Sequence, residues 1–132
     1  MDEILEFMKK NETYYLATVD ENGDPQVRAF GTFSMIDGKF YIETGRTKKV
    51  AKEIANHPRI AICDFATDGS QWLRIEADAY DTNDPELEQK VLDEYPDLQG
   101  MYKAGDGNTC VMRLDNVTAT FSSFTAEPRK VL

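Results

Sequence analysis

A mainly β domain, a small antiparallel barrel with helices at its periphery, is the fold class that this sequence of 132 residues predicts. Three observations predict it. Strand-like runs follow one another without the regular βαβ alternation of a doubly wound sheet. Dense turn signals stand between them, at residues 20–25 and at Asp37-Gly38. Helical periodicity is confined to short stretches near residues 2–10, 50–55 and 83–95.

Taken in order, residues 2–10 place Ile4, Leu5 and Met8 at helical spacing, with acids in front and Lys9-Lys10 behind, as the helix dipole favours. Tyr14-Tyr15-Leu16-Ala17-Thr18-Val19 reads as a strand, and the turn Asp20-Glu21-Asn22-Gly23-Asp24-Pro25 returns the chain through Gln26-Val27-Arg28-Ala29-Phe30 as a hairpin. A second turn at Asp37-Gly38 joins residues 32–36 to Lys39-Phe40-Tyr41-Ile42-Glu43-Thr44, so that a continuous antiparallel meander is predicted. After Gly45 the period changes. Val50, Ala51, Ile54 and Ala55 recur at helical spacing until His57-Pro58, where the proline restricts its predecessor, and a helix of about three turns is predicted.

Residues 59–65 and 71–82 are again strand-like, the second alternating Leu73, Ile75, Ala77 and Ala79 against Trp72, Arg74, Glu76, Asp78 and Tyr80. Asn83-Asp84-Pro85 starts an acidic helix to about Tyr95, an irregular stretch runs to Asn108, and residues 109–125 make a long strand or hairpin. With no internal repeat, low-complexity segment or linker, one domain over residues 1–132 is expected.

Composition excludes several classes of function. A chain of 15.0 kDa buries roughly two-thirds of its unfolded surface, enough for a real core. Fifteen Lys and Arg against 24 Asp and Glu leave a net charge of −9, which argues against general binding to nucleic-acid phosphates. With 41% hydrophobic residues the chain is too apolar for an acidic disordered segment. No run approaches the roughly 18 apolar residues of a membrane span, and the start Met1-Asp2-Glu3 is acidic where a secretory signal is basic, so a cytosolic protein is expected. Cys63, Cys110 and a lone histidine, His57, are too few for a structural zinc site or a disulfide scaffold, and both cysteines lie in apolar strand-like runs that suit buried thiols.

The chemistry concentrates in a charge island. Residues 46–59 hold Arg46, Lys48, Lys49, Lys52 and Arg59 against Glu53 alone. Arg46, Lys48 and Lys49 stand at a helix start, where the dipole disfavours cations by roughly 0.3–1 kcal/mol each. An anion relieves that repulsion. Backbone N–H groups at the helix start, the hydroxyls of Thr44 and Thr47, and the cationic side chains together form a phosphate-sized site. A solvated basic patch with Thr47 as helix cap is the competing account. Arg28, in mid-strand, reaches the same anion if the meander sets its strand beside the one ending at Thr44; a surface or cross-strand charge is the alternative. On the residues alone, a phosphate-bearing small molecule is the favoured ligand class. Dinucleotide, phosphate-loop, zinc-protease and serine-hydrolase motifs are absent, and no side chain stands out as acid, base or nucleophile. The nine acids of residues 76–97, set against Lys90, read as a solvated face.

Several segments resemble one family. Tyr15-Leu16-Ala17-Thr18 followed by Gly23-Asp24-Pro25-Gln26-Val27-Arg28, Thr44-Gly45-Arg46-Thr47-Lys48-Lys49-Val50 with Asn56-His57-Pro58, Trp72-Leu73-Arg74-Ile75, and Phe121-Ser122-Ser123-Phe124 are similar to the FMN-binding split-barrel proteins related to pyridoxamine 5'-phosphate oxidase, in particular the short, nitroimidazole-resistance-like branch. The resemblance spans nearly the whole chain. It implies an antiparallel split barrel, a homodimer with FMN at the subunit interface, and a flavin-dependent oxidoreductase acting on a small molecule with a separate electron donor. By the same resemblance Arg28, Thr44, Thr47, Lys48 and Lys49 hold the phosphate, the backbone around Ala29 and Phe30 meets the isoalloxazine ring, Trp72 lies beside the flavin, and residues 122–124 face the partner's site.

Two positions depart from the branch, which often has an aromatic at Glu43 and a glycine at Ala77. The longer oxidase also carries a C-terminal stretch with Arg and His, where this sequence reads Ala126-Glu127-Pro128-Arg129-Lys130, so oxidation of pyridoxamine phosphate is not expected. The rival readings are a flavin-binding or stress module without turnover, and the same barrel holding a deazaflavin or haem. Haem needs an axial ligand, for which only His57 is at hand.

Overall fold

The computed structural model describes residues 1–132. Helix α1 (Asp2–Lys10) leads into strands β1 (Tyr14–Val19), β2 (Pro25–Phe30), β3 (Ser34–Ile36) and β4 (Lys39–Gly45). Helix α2 (Lys49–Asn56) is followed by β5 (Arg59–Phe65) and β6 (Trp72–Asp81), then by α3 (Pro85–Glu94), a 3-10 turn (Pro96–Gly100), β7 (Thr109–Ser122) and a short β8 (Arg129–Lys130). No helix is long and apolar enough to cross a membrane.

All strand pairs are antiparallel, in the order β2-β1-β5-β6-β7-β4-β3, with β8 on β7. The period-2 pattern explains the curl. Ile60, Ile62, Leu73, Ile75, Ala77 and Ala79 all turn inward, and Ile42, Met112 and Leu114 meet them from β4 and β7. Ile4 and Met8 of α1 and Val50, Ala51 and Ile54 of α2 pack into the same core, which is why each of these segments is helical only along one face.

The ladder does not close. β2 and β3 stand at opposite ends of the hydrogen-bonded path, which leaves a split barrel. Side chains span the seam instead: the Tyr14 hydroxyl donates to the Thr32 carbonyl (2.6 Å), and Thr32 Oγ1 accepts from the Glu43 amide (2.9 Å) and donates to the Glu43 carbonyl (3.3 Å).

The expected meander is therefore corrected. Two hairpins form as read, β1 on β2 and β3 on β4, but they do not pair with each other. The edge of β4 away from β3 is taken by β7, from Phe40↔Leu114 to Gly45↔Thr109, and β1 turns its second edge to β5. These pairings are long in sequence separation and carry no local signal. Residues 109–125 are one long strand to Ser122 rather than a hairpin, and its return partner is β8.

Candidate functional site

Where the two ends of the sheet approach each other, a cleft of about 520 Å³ opens, within the range of roughly 300–1,000 Å³ typical of small-molecule and cofactor sites. One wall is built from Ala29, Phe30, Gly31 and Thr32 at the end of β2, Glu43 and Thr44 of β4, and Lys48. The opposite wall comes from the end of α3 and the following turn, with Tyr95, Leu98 and Tyr102; α1 contributes Lys9.

Each wall has a local cause. β2 is an edge strand, so its outer N–H and C=O groups carry no ladder partner. α2 starts at Lys49 without a side-chain cap and without an acid in its first turn, and Lys48, its N-cap residue, makes no ion pair. A positive helix end, an uncommitted ammonium and the Thr44 hydroxyl thus stand at one end of the cleft. Gly45 has no Cβ to push against the Tyr102 hydroxyl, which lies 3.1 Å from where that atom would be. On the far wall the Tyr95 hydroxyl donates to the Phe33 carbonyl (2.9 Å) and accepts from Lys9 Nζ (2.8 Å), while Lys9 also pairs with Glu94 (2.9 Å). Lys9 is thereby tied down as part of the wall.

Of the residues singled out in the sequence, Ala29, Phe30, Thr44 and Lys48 come together in this cleft. The other four do not. Arg28 points its guanidinium at Glu53 Oε1 (2.6 Å) and the Thr18 hydroxyl (2.7 Å), which fixes α2 against the first hairpin. Lys49 lines a separate small polar depression with Asp20, Asn22 and Asn56. The hydroxyl of Thr47 donates to Asn108 Oδ1 (3.2 Å) and does not cap the helix. Trp72 sits at the opposite end of β6 from the segment near α2, stacked on Phe65 at 6.1 Å and against Phe124 at 5.0 Å.

The charge island is also partly neutralised. Arg46 forms a two-pronged pair with Asp81 (2.7 and 2.9 Å), which holds the Asp81 carboxyl below its usual range, and Arg59 meets Asp78 (3.4 Å). The acids of residues 76–97 are therefore not a uniformly solvated face. Asp84 caps α3, and Glu88 is buried and accepts from the Gly105 amide (2.9 Å).

Glu43, Gly31, Thr32, Tyr95 and Tyr102 belong to the cleft without having been singled out as ligands. Glu43 alone had a signal, as a lone acid in the apolar run Phe40-Tyr41-Ile42. It is 5% exposed, its Oε1 has no hydrogen-bond partner, and burial pushes its carboxyl up to about 7 against the opposing pull of Lys48. No cluster of three or more metal-ligating side chains occurs.

Comparison with known proteins gives a consistent assignment of family. Residues 1–122 match the family described as pyridoxamine 5'-phosphate oxidase. Among solved structures, a NimC/NimA family protein from Clostridium acetobutylicum is 32% identical with a TM-score of 0.91, the match covering 98% of this chain and 90% of that one. A pyridoxamine 5'-phosphate oxidase-related, FMN binding protein from Nostoc punctiforme is 15% identical with a TM-score of 0.67, covering 99% and 95%. An F420 reductase is 18% identical with a TM-score of 0.65, covering 83% and 90%. The last two likenesses concern the fold alone. No curated protein matches the chain.

Proposed function

The chain belongs to the pyridoxamine 5'-phosphate oxidase family, and from that premise we propose that it binds FMN in the cleft and works as a flavin-dependent oxidoreductase on a small molecule. The observation that carries this reading is the meeting, in one cleft, of an uncapped helix start with Thr44 and Lys48 at one end and the open edge of β2 at Ala29 and Phe30 along its side. The first pair suits a phosphate. The second offers unpaired backbone groups to the polar rim of a planar ring.

When bound, FMN supplies the electron-transfer chemistry. The chain's own residues bind and orient it. Lys48 and the Thr44 hydroxyl hold the phosphate, and the backbone of residues 29–30 fixes the ring. Lys49 and the Thr47 hydroxyl stand at the same helix start, where Lys49 adds positive potential, while Arg28 acts indirectly by holding α2 through Glu53. Trp72 is not among the residues that line its own chain's cleft. Its role belongs to a homodimer in which the half-buried Trp72, flanked by the exposed Phe65 and Phe124, approaches the partner's flavin.

Replacing Lys48 with Ala removes a charge-assisted hydrogen bond worth ~1.5–3 kcal/mol, so FMN affinity is expected to fall roughly 10- to 150-fold with the fold intact. Fluorescence titration with FMN measures it, and an unchanged affinity contradicts the phosphate assignment. Oxidation of NADH or NADPH by the FMN-loaded protein supports turnover, whereas retained flavin that no donor reduces leaves a binding module.

A further inference from the structure

Glu43 Oε1 is the one buried side-chain polar atom of the cleft that the fold leaves without a hydrogen-bond partner. Its position is not loose. The Thr32 hydroxyl bonds both its amide and its carbonyl, and β7 pairs with it at Val111. Glu43 shares with Tyr41 the face of β4 over which α3 packs, so its carboxyl is confined between the sheet and the far wall. An unpaired buried carboxylate is costly, and nothing in the chain satisfies it.

The charged groups around it differ in how free they are. Lys48, just before α2, favours its ionised form, and Asp106, from the loop before β7, disfavours it. Lys9 from α1 is already paired with Glu94 of α3 and Tyr95. Glu12 and Asp97 at the rim add negative charge, and Tyr102 adds a hydroxyl. Lys48 is thus the one uncommitted cation that makes an ionised Glu43 tolerable, and it is also the group that a bound phosphate claims.

Resting on the reading that the cleft takes a phosphorylated flavin, we propose that binding is proton-coupled through Glu43. As the anionic ligand engages Lys48, the Glu43 carboxylate takes one proton from solvent and faces the ligand as a neutral acid that donates a hydrogen bond. No electrons move in this step; an O–H bond forms on the carboxylate, and the buffer loses the proton. The free site is poised for this near neutrality, because burial already holds the Glu43 carboxyl at about 7.

The test is calorimetric titration of FMN into the wild-type protein and Glu43→Gln, in buffers of different ionisation enthalpy. For the wild type, affinity is expected to fall about tenfold from about pH 6 to about pH 8, with net proton uptake above about pH 7. For Glu43→Gln, which presents a neutral group at every pH, affinity should change by less than about twofold beyond the common contribution of the phosphate, which itself titrates near pH ~6. Equal proton uptake and equal pH slopes in the two proteins overturn the proposal while leaving FMN binding in place. Failure of both proteins to bind FMN at about pH 6 overturns the functional reading itself. Should the variant not fold, the wild type alone decides, since a binding enthalpy independent of buffer above about pH 7 overturns the coupling.

Discussion

Asp64 is fully buried and neither of its carboxyl oxygens has a hydrogen-bond partner. It follows Ile60 and Ile62 on the inward face of β5, so strand parity drives it into the core. Burial pushes its carboxyl up from 3.8 to about 7. Because the folded value lies above the unfolded one, the native state binds the proton more tightly. The contribution is complete below the unfolded value and is lost as pH rises through about 7. Stability measured by denaturant at about pH 5 and about pH 8 is expected to drop by on the order of 2–4 kcal/mol, with Glu43 adding in the same direction. Asp64→Asn should shrink that drop; an undiminished drop in the variant would mean that the pH dependence arises elsewhere. Both acids were visible in the sequence as single carboxylates inside apolar runs, and parity alone places Asp64 inward. What parity cannot give is the missing partner, because that depends on which strands stack above it.

At the level of elements, the two helices that flank the cleft are started differently. α3 has a side-chain cap. Asp84 Oδ1 accepts from the Glu86 amide (2.9 Å) and the Leu87 amide (3.5 Å), and Pro85 takes the first helical position. Asp84→Ala should cost about 1 kcal/mol, read as a lower thermal midpoint. α2 has no cap and is secured through Glu53, which is 7% exposed and receives hydrogen bonds from Arg28 and the Thr18 hydroxyl. Removing one partner of a largely buried pair strands the other, so Glu53→Ala should cost about 2–4 kcal/mol. A loss smaller than that of Asp84→Ala would show that the pair does not hold α2 in place.

The helices and hairpins were legible because their signals are local: Asp84-Pro85, Asp37-Gly38, and the spacing of Val50, Ala51 and Ile54. The position of Arg28 was not. Its expected approach to Thr44 rested on β2 lying beside β4, whereas β1, β5, β6 and β7 come between these strands in the sheet and Glu53 takes the guanidinium. Thr44 and Lys48 were found because they flank a helix start, which one sequence window contains. Tyr95 and Tyr102 were not, since only the fold brings α3 and the turn after it across from β4.

Over the whole molecule, the large net negative charge is arranged so that it leaves one end of a cleft positive. Asp81 and Asp78 draw off Arg46 and Arg59, Glu53 draws off Arg28, and Lys48 stays free at the helix start. At the far end of β6, Trp72 packs between Phe65 and Phe124, the latter 79% exposed. Exposed aromatics gathered in this way mark association surfaces. Sedimentation is expected to give a mass near twice 15.0 kDa, and Phe124→Asp should shift it toward the monomer; a wild-type monomer would remove Trp72 from the flavin site.

Titrating the protein with FMN and with riboflavin under the same conditions shows whether this cleft is built around a phosphate. FMN should bind at least about tenfold more tightly, because only FMN carries the group that Lys48 and the start of α2 meet. Equal affinity for the two flavins would contradict it.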